Sequence, residues 1–269
     1  MAKKKTPSNA GVSSQNPMRI CFERIVPDEL DPDRSARRSL REFMVASAVR
    51  QLNPAEVHHI ARMAVINSKK WPVASALKCR FLDGSSTMRK KVEAKAHEWE
   101  KYADIKLKFV GSGSAEIRIS FYADSGSWSA VGQDALNRKY FPLHQPTMNY
   151  GWLRDGTSDT EYSRVVVHEF GHALGCIHEH QSPTFTRVWN QQAVMQYFQG
   201  PPNYWTPEDI KANVLSKYSP QGVSSTQYDP QSIMLYSFDA RLFADGLGPT
   251  NENTKPSTKD KGMIKQMYP

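Results

Sequence analysis

The sequence predicts an α/β (α+β) fold, on three observations. Short runs with strand-like alternation recur after residue 70. Amphipathic helical stretches fall between and after them. The 269 residues are 39% hydrophobic and 10% aromatic, enough to bury a sizeable core. Charged residues make up 23%, a globular and not a disordered composition.

The elements follow in order. Residues 1–17 read as a flexible tail. Residues 18–35 open with a short strand and pass into a Pro/Asp-rich turn. Residues 36–52 and 54–66 carry apolar side chains at helical spacing, and the second stretch opens with Pro54 at a helix start. Residues 18–70 are therefore expected to form a small helical N-terminal segment, and residues 71–269 the main domain. Within that domain, 77–82, 105–110 and 117–121 alternate as strands. Residues 87–102 place Met88, Val92, Ala96 and Trp99 on one helix face. A Gly/Ser/Asp-rich stretch at 123–132 and a long loop lead to a short run at 147–150.

Residues 168–180 read HEFGHALGCIHEH. Asp159, Thr160 and Glu161 supply acidic and capping residues ahead of Val165, Val166 and Val167, as a helix start requires. On that helix His168 and His172 project from one face a turn apart, so both imidazoles can reach one metal ion. Gly175 can adopt the positive φ that ends the helix and turns the chain. The turn brings His178 back as a third ligand, and three neutral imidazoles leave a fourth position for water, the arrangement of a catalytic zinc. Glu169 then faces that open position as the general base. His58, His59, His97 and His144 lack ligand spacing, and Cys176 reads as a small buried side chain.

The pattern H-E-x-x-H-x-x-G-x-x-H resembles the metzincin zinc metalloproteases, and the chain from Trp71 onward is most similar to their astacin branch. Glu179 follows the third histidine as in astacins, and residues 232–236 (SIMLY) resemble the Met-turn. Residues 256–268 look like the C-terminal helix, with Ser257 and Asp260 spaced as a capping box. The resemblance implies a zincin fold of two subdomains. The N-terminal one has a twisted mixed sheet and two long helices; the smaller C-terminal one holds the Met-turn and terminal helix. It implies a zinc-dependent metalloendopeptidase with one catalytic Zn2+ on His168, His172 and His178, and protein or peptide substrates held along a strand edge near Ser127, Trp128 and Ser129. It also gives Met234 as a floor beneath the metal and Tyr236 as a catalytic group that reaches the zinc or the oxyanion. Three positions depart from the astacin pattern: Ser182 stands for Arg, Leu235 for His, and three cysteines cannot form two disulfides.

The remaining signals bound the setting. The net charge of +8 is concentrated in residues 1–70, which carry 13 Lys and Arg against 7 Asp and Glu. No nucleic-acid motif accompanies that charge, so it reads as a solvated leader and not as a nucleic-acid contact. The basic start is not followed by an apolar core, and no stretch is long enough to span a bilayer. The expectation is a protein that is cytoplasmic or secreted by a non-classical route. Residues 1–70 are expected to act as a pro-segment or cover, with Cys21 or Asp28 as the group set against the zinc. Neither lies in the P-R-C-G motif of matrixins or the F-x-G-D motif of astacins.

Overall fold

The computed structural model describes residues 20–26, 69–201, 203–218 and 227–269. The two helices expected over residues 36–52 and 54–66, and Asp28, lie outside these. Six strands form one mixed sheet: β1 (Cys21–Arg24), β2 (Ser75–Phe81), β3 (Ile105–Phe109), β4 (Ile117–Ser120), β5 (Ser127–Ala130) and β6 (Met148–Tyr150). Their order is β1-β5-β6-β4-β2-β3. All neighbours are parallel except β5 and β6. The Gly/Ser/Asp-rich stretch at 123–132 is therefore not a plain loop: Trp128 and Ala130 give it enough apolar surface for β5.

Helix α1 (Ser86–Ala96) starts where the Ser85 hydroxyl accepts from the Met88 backbone, and it buries Met88, Val92 and Ala96. It is shorter than the expected 87–102. The chain breaks at His97 and Glu98 and resumes as a 3-10 turn at Trp99–Lys101. The cause is Trp99, which is buried and donates its indole N–H to the Val167 carbonyl at 2.8 Å. That bond ties the turn to α2 (Asp159–Ala173), the helix that carries the histidines; α2 packs on α1, β5 and β6.

Helix α2 begins at Ser158, whose side chain accepts from Glu161 N, with Asp159 and Glu161 in the first turn favouring its positive end. Its last carbonyls are all partnered. Trp71 donates its indole N–H to Ala173 O at 2.8 Å, and the Tyr268 hydroxyl donates to Leu174 O at 2.7 Å. Gly175 turns the chain at φ 101°, as its residue type predicts. Beyond it lie α3 (Gln191–Gln199) and α4 (Pro207–Ile210), the latter running into a π-helical turn at Lys211–Leu215. Sequence reading assigned no element there. The terminal helix α5 (Thr258–Met267) opens on the expected capping box of Ser257 and Asp260. No helix of the described residues is long and apolar enough to cross a membrane.

One buried charge organises the sheet. Arg118 on β4 is 1% exposed and donates to the carbonyls of Ala115, Phe141, Pro142 and Gln145, which fixes the loop after β5. Burial lowers its pKa to about 10.

Candidate metal centre

His168, His172 and His178 are all buried and converge. Nε2 of His172 lies 3.1 Å from Nε2 of His168 and 3.0 Å from Nε2 of His178. The opposite ring nitrogens decide the tautomers. His168 Nδ1 is 2.8 Å from Ile233 O, and His172 Nδ1 is 2.8 Å from Cys176 O. A carbonyl only accepts, so both Nδ1 atoms carry the proton. His178 Nδ1 meets Gln181 Oε1 at 3.3 Å, and Gln181 spends its amide protons on Ala212 O and Ser216 O. The Gln181 oxygen can then only accept, so His178 Nδ1 is protonated too. Three Nε2 lone pairs face one another at hydrogen-bond distance with no proton between them. That arrangement repels itself unless a cation sits among them, and the donor set suits zinc. Burial first, and mutual repulsion next, lowers the pKa of His168 well below the usual range; burial and His180 do the same for His178. Both shifts favour the neutral form of these two rings, the form that metal ligation requires.

The turn at residues 232–236 supplies the floor. Asp260 accepts from the Ser232 hydroxyl at 2.7 Å, from Ile233 N at 2.8 Å and from Ser257 N at 2.9 Å. One carboxylate thus joins the cap of α5 to the turn whose Ile233 carbonyl orients His168. Glu179 closes the other side: its N–H donates to Met234 O at 3.0 Å, and its carboxylate accepts from Asp229 N at 2.7 Å. Burial raises the Glu179 pKa to about 7. Met234 sits against Gly171, where an added Cβ would lie 2.5 Å from Met234 Sδ. The glycine inside the H-E-x-x-H run is what lets the methionine approach the helix.

Tyr236 brings its hydroxyl against His178 Nε2 and the Cys21 carbonyl. It has one proton to give, so one of these contacts sets lone pair against lone pair, again a place for a cation. Glu169 is wholly buried. Ligand atoms of Cys21, His168 and Glu169 lie within 4.8 Å of one another. Burial pushes the Cys21 thiol well above its usual range, and the Glu169 carboxylate beside it pushes the same way. His180 turns away, with Nε2 3.0 Å from Asn213 O. Cys79 and Cys176 are buried, as is Cys21, and none of the three is in a disulfide.

The structure thus gathers His168, Glu169, His172, His178 and Tyr236 in one place, with Cys21 over them. Sequence reading missed Gln181, whose only signal was its place three residues after His178. It also missed Asp134, whose carboxylate accepts from Val26 N at 3.1 Å and from Lys69 Nζ at 2.6 Å.

A family model described as matrixin matches residues 70–199. Among solved structures, one of myroilysin is 42% identical, covers 76% of this chain and 98% of its own, and superposes with a TM-score of 0.72. A second myroilysin crystal structure, also 42% identical, covers 75% and 86% with a TM-score of 0.57. High choriolytic enzyme 1, a hatching enzyme zinc-protease from Oryzias latipes (medaka fish), is 20% identical, covering 74% and 93%, with a TM-score of 0.49. No curated protein sequence matches.

Proposed function

The chain belongs to the metzincin zinc metalloproteases, and from that premise we propose that it is an endopeptidase cutting peptide bonds within proteins. The observation that carries the reading is the meeting of three Nε2 lone pairs at 3.0–3.1 Å, beside a buried carboxylate. His168, His172 and His178 would hold the ion; Glu169 and Tyr236 would act on the substrate. Zinc bound there would supply Lewis acidity and lower the pKa of a water toward neutrality. Glu169 is the residue placed to accept a water proton and return it to the leaving amine. Tyr236 is placed to donate a hydrogen bond to the oxyanion that forms at the scissile carbonyl. The turn from Ser232 to Tyr236, braced by Asp260 and Glu179, keeps that phenol and the His168 ring in place. Casein cleavage tests the reading. It should be lost on chelation and return on zinc add-back; cleavage that persists in chelator at full rate would overturn it.

Residues 1–70 act in this reading as a cover, with Cys21 as the group set against the metal. β1 lies along β5, where an extended substrate would pair. Its carbonyl at Cys21 already takes the Tyr236 contact, and Cys21 sits within ligand reach of His168 and Glu169. The strand is pinned further on, where Val26 N and Lys69 Nζ share the Asp134 carboxylate. A chain beginning near residue 70 should be more active than the full one, and Cys21→Ser should show part of the gain. Equal activity in a well-folded shortened chain would rule out inhibition.

A further inference from the structure

The edge of β5 carries a feature that the peptide-bond chemistry does not use. Cys21 to Arg24 pair in register with Ser127 to Ala130. The Cys21 carbonyl, in contact with Tyr236, marks the reacting end of this strand. Three residues on, the Arg24 guanidinium carbon lies 3.9 Å from the centroid of the Trp128 ring. Trp128 is 2% exposed and stacks on Phe141 at 6.4 Å, which meets Tyr140 edge-on at 4.9 Å. The three rings form a shelf beside the strand edge.

The shelf is suited to a cation. Arg24 is partly desolvated, which pulls its pKa down, and no described carboxylate offsets the loss. With no counter-charge among the described residues, a cation held there is held by the negative face of the indole. The Trp128 Nε1–H has no acceptor among the described residues, so a donor is available to whatever strand takes the edge. Next to the guanidinium, a cavity of about 320 Å³ bounded by Arg24, Ile25, Tyr140, Gln181 and Asn213 leaves room for a long side chain. Trp128, Tyr140 and Phe141 all lie within the family match at residues 70–199, so the shelf belongs to the catalytic domain and not to β1.

We propose that Trp128 is a specificity-determining residue, which selects substrates bearing an arginine or lysine about three residues from the bond cut. The proposal rests on the endopeptidase reading above and names the substrate class for that same cleft. Arginine should be preferred to lysine, because its planar guanidinium stacks on a ring where an ammonium cannot.

Cut sites in a proteome-derived peptide mixture, read by mass spectrometry after digestion with the full chain and with its Cys21→Ser variant, test it. Arginine should be enriched about 3- to 30-fold over its supply at one position within about three residues of the cleaved bond, the range a cation–π contact provides. A peptide pair differing only in Arg or Gln at that position should show the same ratio in kcat/KM. That ratio should hold within about twofold at about 0.5 M salt, because no ion pair is involved. Trp128→Leu should bring it close to one. Trp128→Phe, which keeps a ring on Phe141, should lower it without abolishing it, and it decides the matter if the leucine variant does not fold. Cut sites with no basic preference, or a preference that neither variant changes, would overturn the proposal and leave the endopeptidase reading standing. No cleavage by either chain, nor by a well-folded chain beginning near residue 70, would overturn that reading, and the proposal with it.

Discussion

Glu169→Gln should keep its fold and its zinc and lose activity by about 10^3- to 10^4-fold, at the upper end of what a positioned proton-transfer group contributes. The side chain is wholly buried on α2 between His168 and Phe170. The amide has the same shape, so packing around it is preserved. Removing a buried charge does not cost stability, and the melting temperature should hold or rise. The ligands are elsewhere: each imidazole is oriented by its own Nδ1 acceptor, Ile233 O, Cys176 O or Gln181 Oε1. Zinc content should therefore remain near one per chain. The amide cannot take a proton from water at neutral pH, so the loss should fall on kcat. Near wild-type turnover in a zinc-loaded variant would sink the assigned mechanism. Loss of zinc would instead show that Glu169 supports the ligands.

How much of this was legible in the sequence depended on how local the determinant was. The histidine spacing, the positive φ at Gly175 and the capping box at Ser257 and Asp260 are set within a few residues, and each is found where its residue types place it. The break in α1 was not legible, because the indole of Trp99 bonds a carbonyl 68 residues away. Strand β5 was half legible. The glycines and serines of the stretch 123–132 around it read as a loop, and only the resemblance placed a substrate edge at Ser127 to Ser129. Asp260 shows the same division. Its capping role follows from Ser257 three residues before it, whereas its bonds to Ser232 and Ile233 depend on the chain returning across 28 and 27 residues. Cys21 was legible only as a candidate beside Asp28. Asp28 lies outside the described residues; for Cys21, the pairing of β1 with a strand more than 100 residues on sets the thiol beside Glu169.

Tyr236→Phe is expected to cost on the order of 10^2- to 10^3-fold in kcat, about 3–4 kcal/mol, the usual loss when one oxyanion donor is removed. The ring itself is well held: it is 3% exposed, packs against His168 and His178, and meets Phe238 edge-on at 5.6 Å. Phenylalanine keeps all of that, so stability should change little. The hydroxyl touches His178 Nε2 and the Cys21 carbonyl. The first contact puts it at the nitrogen proposed to face the metal; the second puts it where a carbonyl on the strand edge sits. A donor at that position bonds the substrate carbonyl weakly and the oxyanion strongly, so the loss should appear in kcat with KM nearly unchanged. Zinc content should stay near one per chain, because three imidazoles still hold the ion. The covered form supplies an internal check. If the hydroxyl also binds the Cys21 carbonyl, the full-length variant should release its cover more readily than wild type, even while its chemistry is slower. A variant that lost zinc or unfolded would make Tyr236 a structural residue. One that kept full activity would move the oxyanion donor elsewhere, to a backbone N–H on the β5 edge.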